Sequence, residues 1–346
     1  MESLVTEIKN AALSMGYEKC GIIKIADMAD FEEKLNERME HLPETKPFYE
    51  RFTGFAHLQD TYPWAKSIVV CVGQYGKYHV PEHLQGLIGK AYLFDNRIDE
   101  RAKEHQESLR FEAAMQKIGL KTETSRKFGI TALRWAAVKA GLGIARRNNF
   151  FYTESGSWVH LEAWLIDKEL ELIEVPAVKE CPEHCNLCVK SCPTASLSKP
   201  YTMNPLSCIS FLTTFGGRNL PHERCSGQMG GWIYGCDVCQ DVCPMNKSCW
   251  KATEEFPALA ELSEHISLEK VLKMDYDFLA QVMPAKFFYI TKDDAWKWKV
   301  NAINAMVNDY KAEYAEPIYD ACNDSNEKVR EMAEWAINKL NLRKKG

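Results

Sequence analysis

The chain has no uninterrupted apolar run near the ~18 residues that a membrane-crossing helix needs. Its first residues, "MESLVTEIKNAALSMGYEKCG", carry acids early and no apolar core of the kind a secretory leader has. A soluble, cytoplasmic protein with no membrane association is therefore expected. A basic excess is also missing: 43 Lys and Arg stand against 48 Asp and Glu, a net charge of −5. That argues against a broad nucleic-acid-binding face while leaving room for a local patch. The remaining composition, 46% hydrophobic and 26% charged over 346 residues, is that of an ordinary globular protein with two or three domains.

What the chain has in excess is cysteine. Ten of its 13 cysteines lie between 181 and 249, with Cys20, Cys71 and Cys322 outside. A disulfide scaffold suits a small secreted domain, so metal or cluster ligation is the better expectation. Upstream, residues 2–15, 30–42, 99–118 and 130–140 have helical spacing. "CGIIKI", "SIVVCVG" (67–73) and "SWVHLEAWLI" (157–166) have the apolar, β-branched character of strands. Helices alternating with buried strands predict an α/β first domain over 1–175. The segment 176–250 is rich in Cys and Pro and poor in periodicity, so a bound metal centre is expected to supply its core. After 251 the chain turns helical. "NAINAMVNDY", "AEPIYDACND" and "NEKVREMAEWAINKL" read as a two-helix repeat resembling a HEAT-type cap over 251–346. The basic end "NLRKKG" reads as a solvated helix terminus.

The pattern C-x2-C-x3-C-P occurs twice, at 185–193 and at 236–244. This is the core of the bacterial ferredoxin run, in which the cysteine before proline ligates the other cluster. Two-residue gaps let a loop wrap one cubane, and the three-residue gap carries the last thiolate away from it. Two such runs interlock. One [4Fe–4S] cluster is assigned Cys181, Cys185, Cys188 and Cys243, and the other Cys192, Cys208, Cys236 and Cys239. Two structural zinc sites are the alternative, since zinc also uses C-x2-C pairs; the repeated C-P signature favours iron. Cys181 departs from the ferredoxin spacing, with three residues before Cys185. His184, inside that gap, is expected to be a loop residue. Cys225, Cys249 and the three outlying cysteines are expected to be plain thiols.

On "CNLCVKSCPTAS", "CISFLTT" and "GGWIYGCDVCQDVCPMNK" the sequence resembles the epoxyqueuosine reductase family, within the broader group of cobalamin-dependent reductases that includes reductive dehalogenases. "AGLGIARRNNFFYTESGSW" (140–158), "YPWAKSIVVCVGQYG" and "VREMAEWAINKL" extend the resemblance over nearly the whole chain. It implies an α+β protein: a nitroreductase-like α/β domain holding cobalamin, a ferredoxin-like double-cluster domain and a HEAT-like helical end. It further implies that the clusters reduce cobalamin to cob(I)alamin, the cofactor carrying the hard chemistry. Gly141, Gly143, Arg147, Asn148, Gly156 and Ser157 fall where the family lines its corrinoid, and glycines at 141 and 143 would let backbone approach a flat ligand. The implied partners are tRNA and an electron donor of flavodoxin or ferredoxin type, with the chain a monomer.

The family's proton-donating acid lies fourteen positions before the Gly of Ala-Gly-Leu-Gly, where this chain has Lys127. The family's Asp-Tyr-His is also missing; "YLFDNRIDERAK" (92–103) keeps only Asp95 and Asp99. Reductive dehalogenases use a Tyr with a nearby Lys or Arg. Lys127 is therefore the candidate general acid, its pKa lowered in an apolar pocket, with Tyr75 as partner and Tyr92 as a second choice. The alternatives are a dehalogenase-like reductase of a small molecule, and an electron-transfer or corrinoid-reactivating protein without a substrate of its own.

Overall fold

The structure, a computed structural model, describes residues 3–95, 97–217 and 227–343. Its strands are β1 (Lys19–Lys24), β2 (Ser67–Gln74), β3 (Thr122–Glu123), β4 (Ile144–Ala145), β5 (Phe151–Tyr152), β6 (Val159–Ile166), β7 (Leu197–Lys199) and β8 (Thr202–Met203). The central sheet has four strands in the order β1-β2-β6-β3, all antiparallel. The continuous apolar run of β2 is explained by its place in the middle, where it is buried from Ser67 to Gly73. The α/β expectation needs correcting here. Helices and strands do alternate along the chain, but each excursion returns the next strand in the opposite sense, so the layer is α+β in kind.

Side-chain alternation divides the sheet into two faces. Ile22, Val69, Cys71, Trp164 and Ile166 pack under the helices Leu4–Ser14 and Lys103–Lys117, through Ile8, Ala12, Phe111 and Met115. Ile23, Ile68, Val70, Val72, Ala163 and Leu165 face the helix Leu133–Lys139 through Ala136 and Ala137. The helix Leu4–Ser14 starts where Ser3 accepts from the Thr6 N–H, satisfying one of its free amides.

The third region is not a separate cap. Tyr75, Tyr78, Leu84, Ile88 and Phe94 share one core with Ile233, Tyr234, Phe256, Phe287 and Trp298. Residues 75–102 thus leave the sheet layer and pack with the C-terminal part. The helix Trp296–Asn308 is buried from Trp296 through Met306, as a helix enclosed on all sides must be. Its polar side chains are spent on neighbouring backbone. Asn301 donates to the carbonyls of Thr213 (3.0 Å) and Ile233 (2.9 Å), and Lys297 to that of Thr214 (3.0 Å) and to that of Gly216. The helices Ala315–Ala321 and Glu327–Leu340 close a smaller core against it. Among the described residues no helix is long and apolar enough to cross a membrane.

Candidate iron–sulfur centre and its surroundings

Each C-x2-C-x3-C-P run folds in the same way. In the first, Cys188 lies in the helix Leu187–Ser191 and Cys192 ends it at φ −67°, ψ 112°. In the second, Cys239 lies in the helix Val238–Asp241 and Cys243 follows at φ −74°, ψ 119°. Pro193 and Pro244 are the cause, because proline pushes the preceding residue out of the helical region. The two cysteines therefore turn away from their own helices. Cys208 has the same extended backbone, φ −72°, ψ 124°, before the helix Ile209–Leu212.

The thiols fall into two groups. Burial pushes the Cys188 thiol up, and repulsion from Cys243, Cys181 and Cys185 adds to it. Burial likewise raises Cys239, with Cys236, Cys208 and Cys192 adding to it. Cys208 and Cys236 are raised by burial and by Cys192, while backbone N–H groups of Phe211, Ser210 and Val238 oppose the shift. Cys243 thus sits with the first run and Cys192 with the second. Buried thiols that repel one another are a donor set that fits a cationic iron–sulfide core, which takes up the thiolate charge as the protons leave. Among the described residues no three His, Cys, Asp or Glu side chains converge as the ligands of a single ion do.

The irregular gap after Cys181 is taken up by a turn in which the Cys185 N–H donates to the Pro182 carbonyl (3.0 Å). Arg146 reaches Cys181 Sγ at 3.6 Å and also holds the Lys179 carbonyl. His184 is 93% exposed, with Glu183 at 4.0 Å, a loop residue as expected. Cys249 donates to the Met245 carbonyl (3.3 Å) outside both groups, Cys20 and Cys71 are buried cross-strand neighbours, and Cys322 lies on the Ile318 carbonyl. Cys225 and the last residues of "NLRKKG" lie outside the described residues.

The six residues assigned to a corrinoid are used by the chain itself. Gly141, at φ +70°, is pressed against the Glu174 carbonyl, and Gly143 against the Tyr152 carbonyl. Gly156, at φ +79°, packs on Asn246 and Cys249. A Cβ at any of the three would collide. Ser157 accepts from Asn246 and donates to Gln240 (both 2.8 Å), and its N–H donates to Asn246 (2.9 Å). Asn148 donates to the Tyr152 hydroxyl (2.9 Å) and the Cys239 carbonyl (3.1 Å), and Arg147 to the carbonyls of Cys185 (2.8 Å) and Glu183 (2.5 Å). Except for Gly141 and Gly143, which brace the first domain internally, these residues form the joint between that domain and the cysteine segment. They do not fit as the lining of a free cavity.

The pairing of Lys127 with Tyr75 also needs correcting. Tyr75 is buried among Phe94, Trp158 and Trp250, and burial holds its phenol well above the usual range. Lys127 is exposed, its ammonium over the rings of Phe128 (5.5 Å) and Phe288 (5.6 Å). The two share no contact. Tyr92 lies closer to the centre: its hydroxyl is 2.6 Å from Ser210 Oγ, two residues after Cys208. Sequence reasoning missed Arg146, Tyr152, Gln240 and Asn246, which carry no motif of their own. Asn246 follows the second C-P pair by two positions, the one signal that could have drawn attention to it.

Comparisons with known proteins agree with this centre. Residues 180–246 match the family model described as a 4Fe-4S double cluster binding domain. The chain is 30% identical over 228 residues to the epoxyqueuosine reductase of Bacillus subtilis (strain 168), covering 64% of this chain and 56% of that one. It is 31% identical over 168 residues to that of Prochlorococcus marinus (strain NATL2A), covering 48% and 53%. The chain thus spans about half the length of the curated relatives it matches. A crystal structure of selenomethionine-labelled epoxyqueuosine reductase superposes with a TM-score of 0.79 at 25% identity, over 97% of this chain and 90% of the other. A crystal structure of epoxyqueuosine reductase with a tRNA-Tyr epoxyqueuosine-modified tRNA stem loop gives 0.76 at 25% identity, over 97% and 89%. With the same double-cluster segment, these relatives and a shared backbone along nearly its whole length, the chain is similar to the epoxyqueuosine reductases in both sequence and fold.

Proposed function

We propose that this protein is an iron–sulfur-dependent oxidoreductase that removes the oxygen of an epoxide carried on a tRNA anticodon stem loop. The observation that carries this reading is the crosswise grouping of the eight cysteines, Cys181, Cys185, Cys188 and Cys243 beside Cys192, Cys208, Cys236 and Cys239. Reductive loss of an epoxide oxygen breaks two C–O bonds, forms a C=C bond and releases water. It consumes two electrons and two protons. The two clusters, when bound, supply one-electron transfers, and a donor of flavodoxin or ferredoxin class refills them. The protein's own share is to hold the clusters, to aim the stem loop and to deliver protons.

Cobalamin, which the resemblance implies, enters no step of this reading, because each of the six residues assigned to it is engaged elsewhere in the chain. The nitroreductase-like and HEAT-like descriptions of the outer regions belong to the same proposal.

The test is anaerobic reconstitution followed by turnover. The loaded protein should bind about 8 iron per chain and convert an epoxyqueuosine stem loop to the queuosine form, read by mass spectrometry of the nucleosides. Running the assay with and without hydroxocobalamin decides whether a corrinoid takes part. A fully loaded, reducible protein that returns the stem loop unchanged in both cases overturns the reading. Activity on a halogenated small molecule instead would favour a dehalogenase-like enzyme.

A further inference from the structure

Beside the second cysteine group the fold assembles a corner that draws on four distant parts of the chain. At its centre is Tyr289. The ring meets Phe288 (4.5 Å), Phe215 (5.5 Å), Tyr92 (5.7 Å) and Phe128 (6.1 Å). The backbone N–H of Tyr289 donates to the Tyr234 hydroxyl (3.0 Å), which fixes the ring's origin. Its own hydroxyl accepts from Arg97 Nη2 at 2.8 Å. Among the described residues its phenolic proton is given no acceptor.

Arg97 is itself held in place. Its Nε donates to Asp95 Oδ1 at 2.9 Å and its Nη2 to the other carboxylate oxygen, a two-pronged ion pair. Burial works against the charge of Asp95, but the Arg97 guanidinium outweighs it and holds the carboxyl below its ordinary range. Lys286 braces the Asp95 carbonyl from behind. The guanidinium lies 5.3 Å from the Phe288 ring centre and 5.8 Å from that of Tyr289. Burial raises the Tyr289 phenol while Arg97 pulls it back, so it stays protonated at neutral pH.

Two features make the corner more than a packed ion pair. On one side Tyr92, against the Tyr289 ring, bonds Ser210 next to Cys208, so the corner adjoins the second group of thiols. On the other side the Tyr289 ring meets two side chains that reach solvent, Phe128, 62% exposed, and Phe215, 38% exposed. A hydroxyl with a proton to give, thiols for an electron-carrying cluster nearby and partly exposed rings beside it are what a reductive step requires.

We infer that Tyr289, oriented by Arg97 and Asp95, gives the proton taken up by the oxygen that leaves when the epoxide is reduced. This rests on the reading of function above. When the first C–O bond breaks, with electrons that the clusters would supply when bound, the oxygen takes the Tyr289 proton; solvent reprotonates the tyrosinate. Loss of the second C–O bond with a second proton forms the alkene and water. In all, two electrons and two protons enter. Tyr289 touches the reacting atom, whereas Arg97 acts through Tyr289 and is a positioning residue. Lys127 lies beside this corner with its charge over the rings of Phe128 and Phe288, and among the described residues no hydrogen bond aims it.

The experiment has a binding arm and a turnover arm. In the first, 3-fluorotyrosine is placed at 289 in oxidised, cluster-loaded protein, and its fluorine resonance is followed as stem loop is added. The epoxide form should shift the resonance saturably and the reduced form should not. A resonance that ignores an epoxide stem loop shown to bind by another method overturns the inference. In the second arm Tyr289→Phe, which keeps the ring, should lower kcat by about 10²–10⁴-fold at unchanged iron content. A value within threefold of wild type, or a larger loss in Lys127→Ala than in Tyr289→Phe, overturns it. Should Tyr289→Phe fail to load iron, Arg97→Lys takes its place, with kcat expected to fall tenfold or more while KM holds; an unchanged kcat counts against the inference. Wild-type protein that neither binds nor reduces the stem loop overturns the functional reading and this inference together. Wild-type turnover with an indifferent Tyr289 overturns the inference alone.

Discussion

The sheet layer and the cysteine segment are held together by different means. In the first, both faces of β2 and β6 are covered by hydrocarbon, and Trp164, Phe111, Ile22 and Ile68 lose nearly all contact with water. Burial on that scale, at roughly 25 cal/mol per Å² of apolar surface, stabilises the layer without help. Residues 181–250 are built otherwise. Their helices run to four or five residues, far below the ~12 at which an isolated helix becomes even marginal. Their own apolar cluster is small, centred on Ile209, Met229 and Trp232. Between the helices Leu187–Ser191 and Val238–Asp241 the cysteines of the two runs face one another, Cys243 beside Cys188. The difference teaches that the sheet layer is ordered by its own apolar faces, and the cysteine segment by its ligands together with the neighbouring helix Trp296–Asn308.

The sharpest way to break this comparison is to remove ligands. Cys188→Ser should lower bound iron from about 8 to about 4 or fewer and open residues 181–250 to protease, while far-ultraviolet dichroism of the sheet layer persists. Equal loss of structure in both regions would show that they are not independent. Next comes the converse, Trp164→Ala, which should cost about 3–5 kcal/mol in urea unfolding and leave iron per folded chain unchanged.

A smaller effect comes from pH. Burial holds the Lys286 ammonium down to about 8 against an ordinary 10.5, although Asp95, Asp99 and Glu104 oppose the shift. Between those values the unfolded chain binds the extra proton, so stability rises as pH climbs through 8 towards 10.5. The gain is on the order of 3 kcal/mol at 1.36 kcal/mol per unit, and Lys286→Met should flatten the slope. Smallest is the joint between the regions. Ser157→Ala leaves the side chains of Gln240 and Asn246 short of a partner and should cost about 1–2 kcal/mol, seen as a lower midpoint with both regions otherwise intact.

Much of the sheet layer was legible because its signals are local. The runs "CGIIKI", "SIVVCVG" and "SWVHLEAWLI" became β1, β2 and β6 within two residues of their expected limits. The grouping of cysteines was legible for the same reason, since spacing and a following proline set where each thiol points. What escaped the sequence depends on distant partners. The antiparallel sense of β1 against β2 follows from how the intervening excursion closes, which no short pattern records. Gly141 and Gly143 looked like room for a flat ligand, yet the space is filled by the chain's own carbonyls. A required glycine looks the same in either case. Tyr75 was expected at a reactive site and lies in the core, whereas Tyr289 meets Arg97 from 192 positions away.

The helix Trp296–Asn308 has a practical consequence. Its Lys297 and Asn301 supply the donors for four carbonyls that border the cysteine segment, those of Thr213, Thr214, Gly216 and Ile233. It works as a keel for the metal-bearing part of the hull. A shortened version ending before Trp296 would strand those carbonyls in a dry interior, so anyone seeking a minimal electron-carrying fragment has to keep the keel with it.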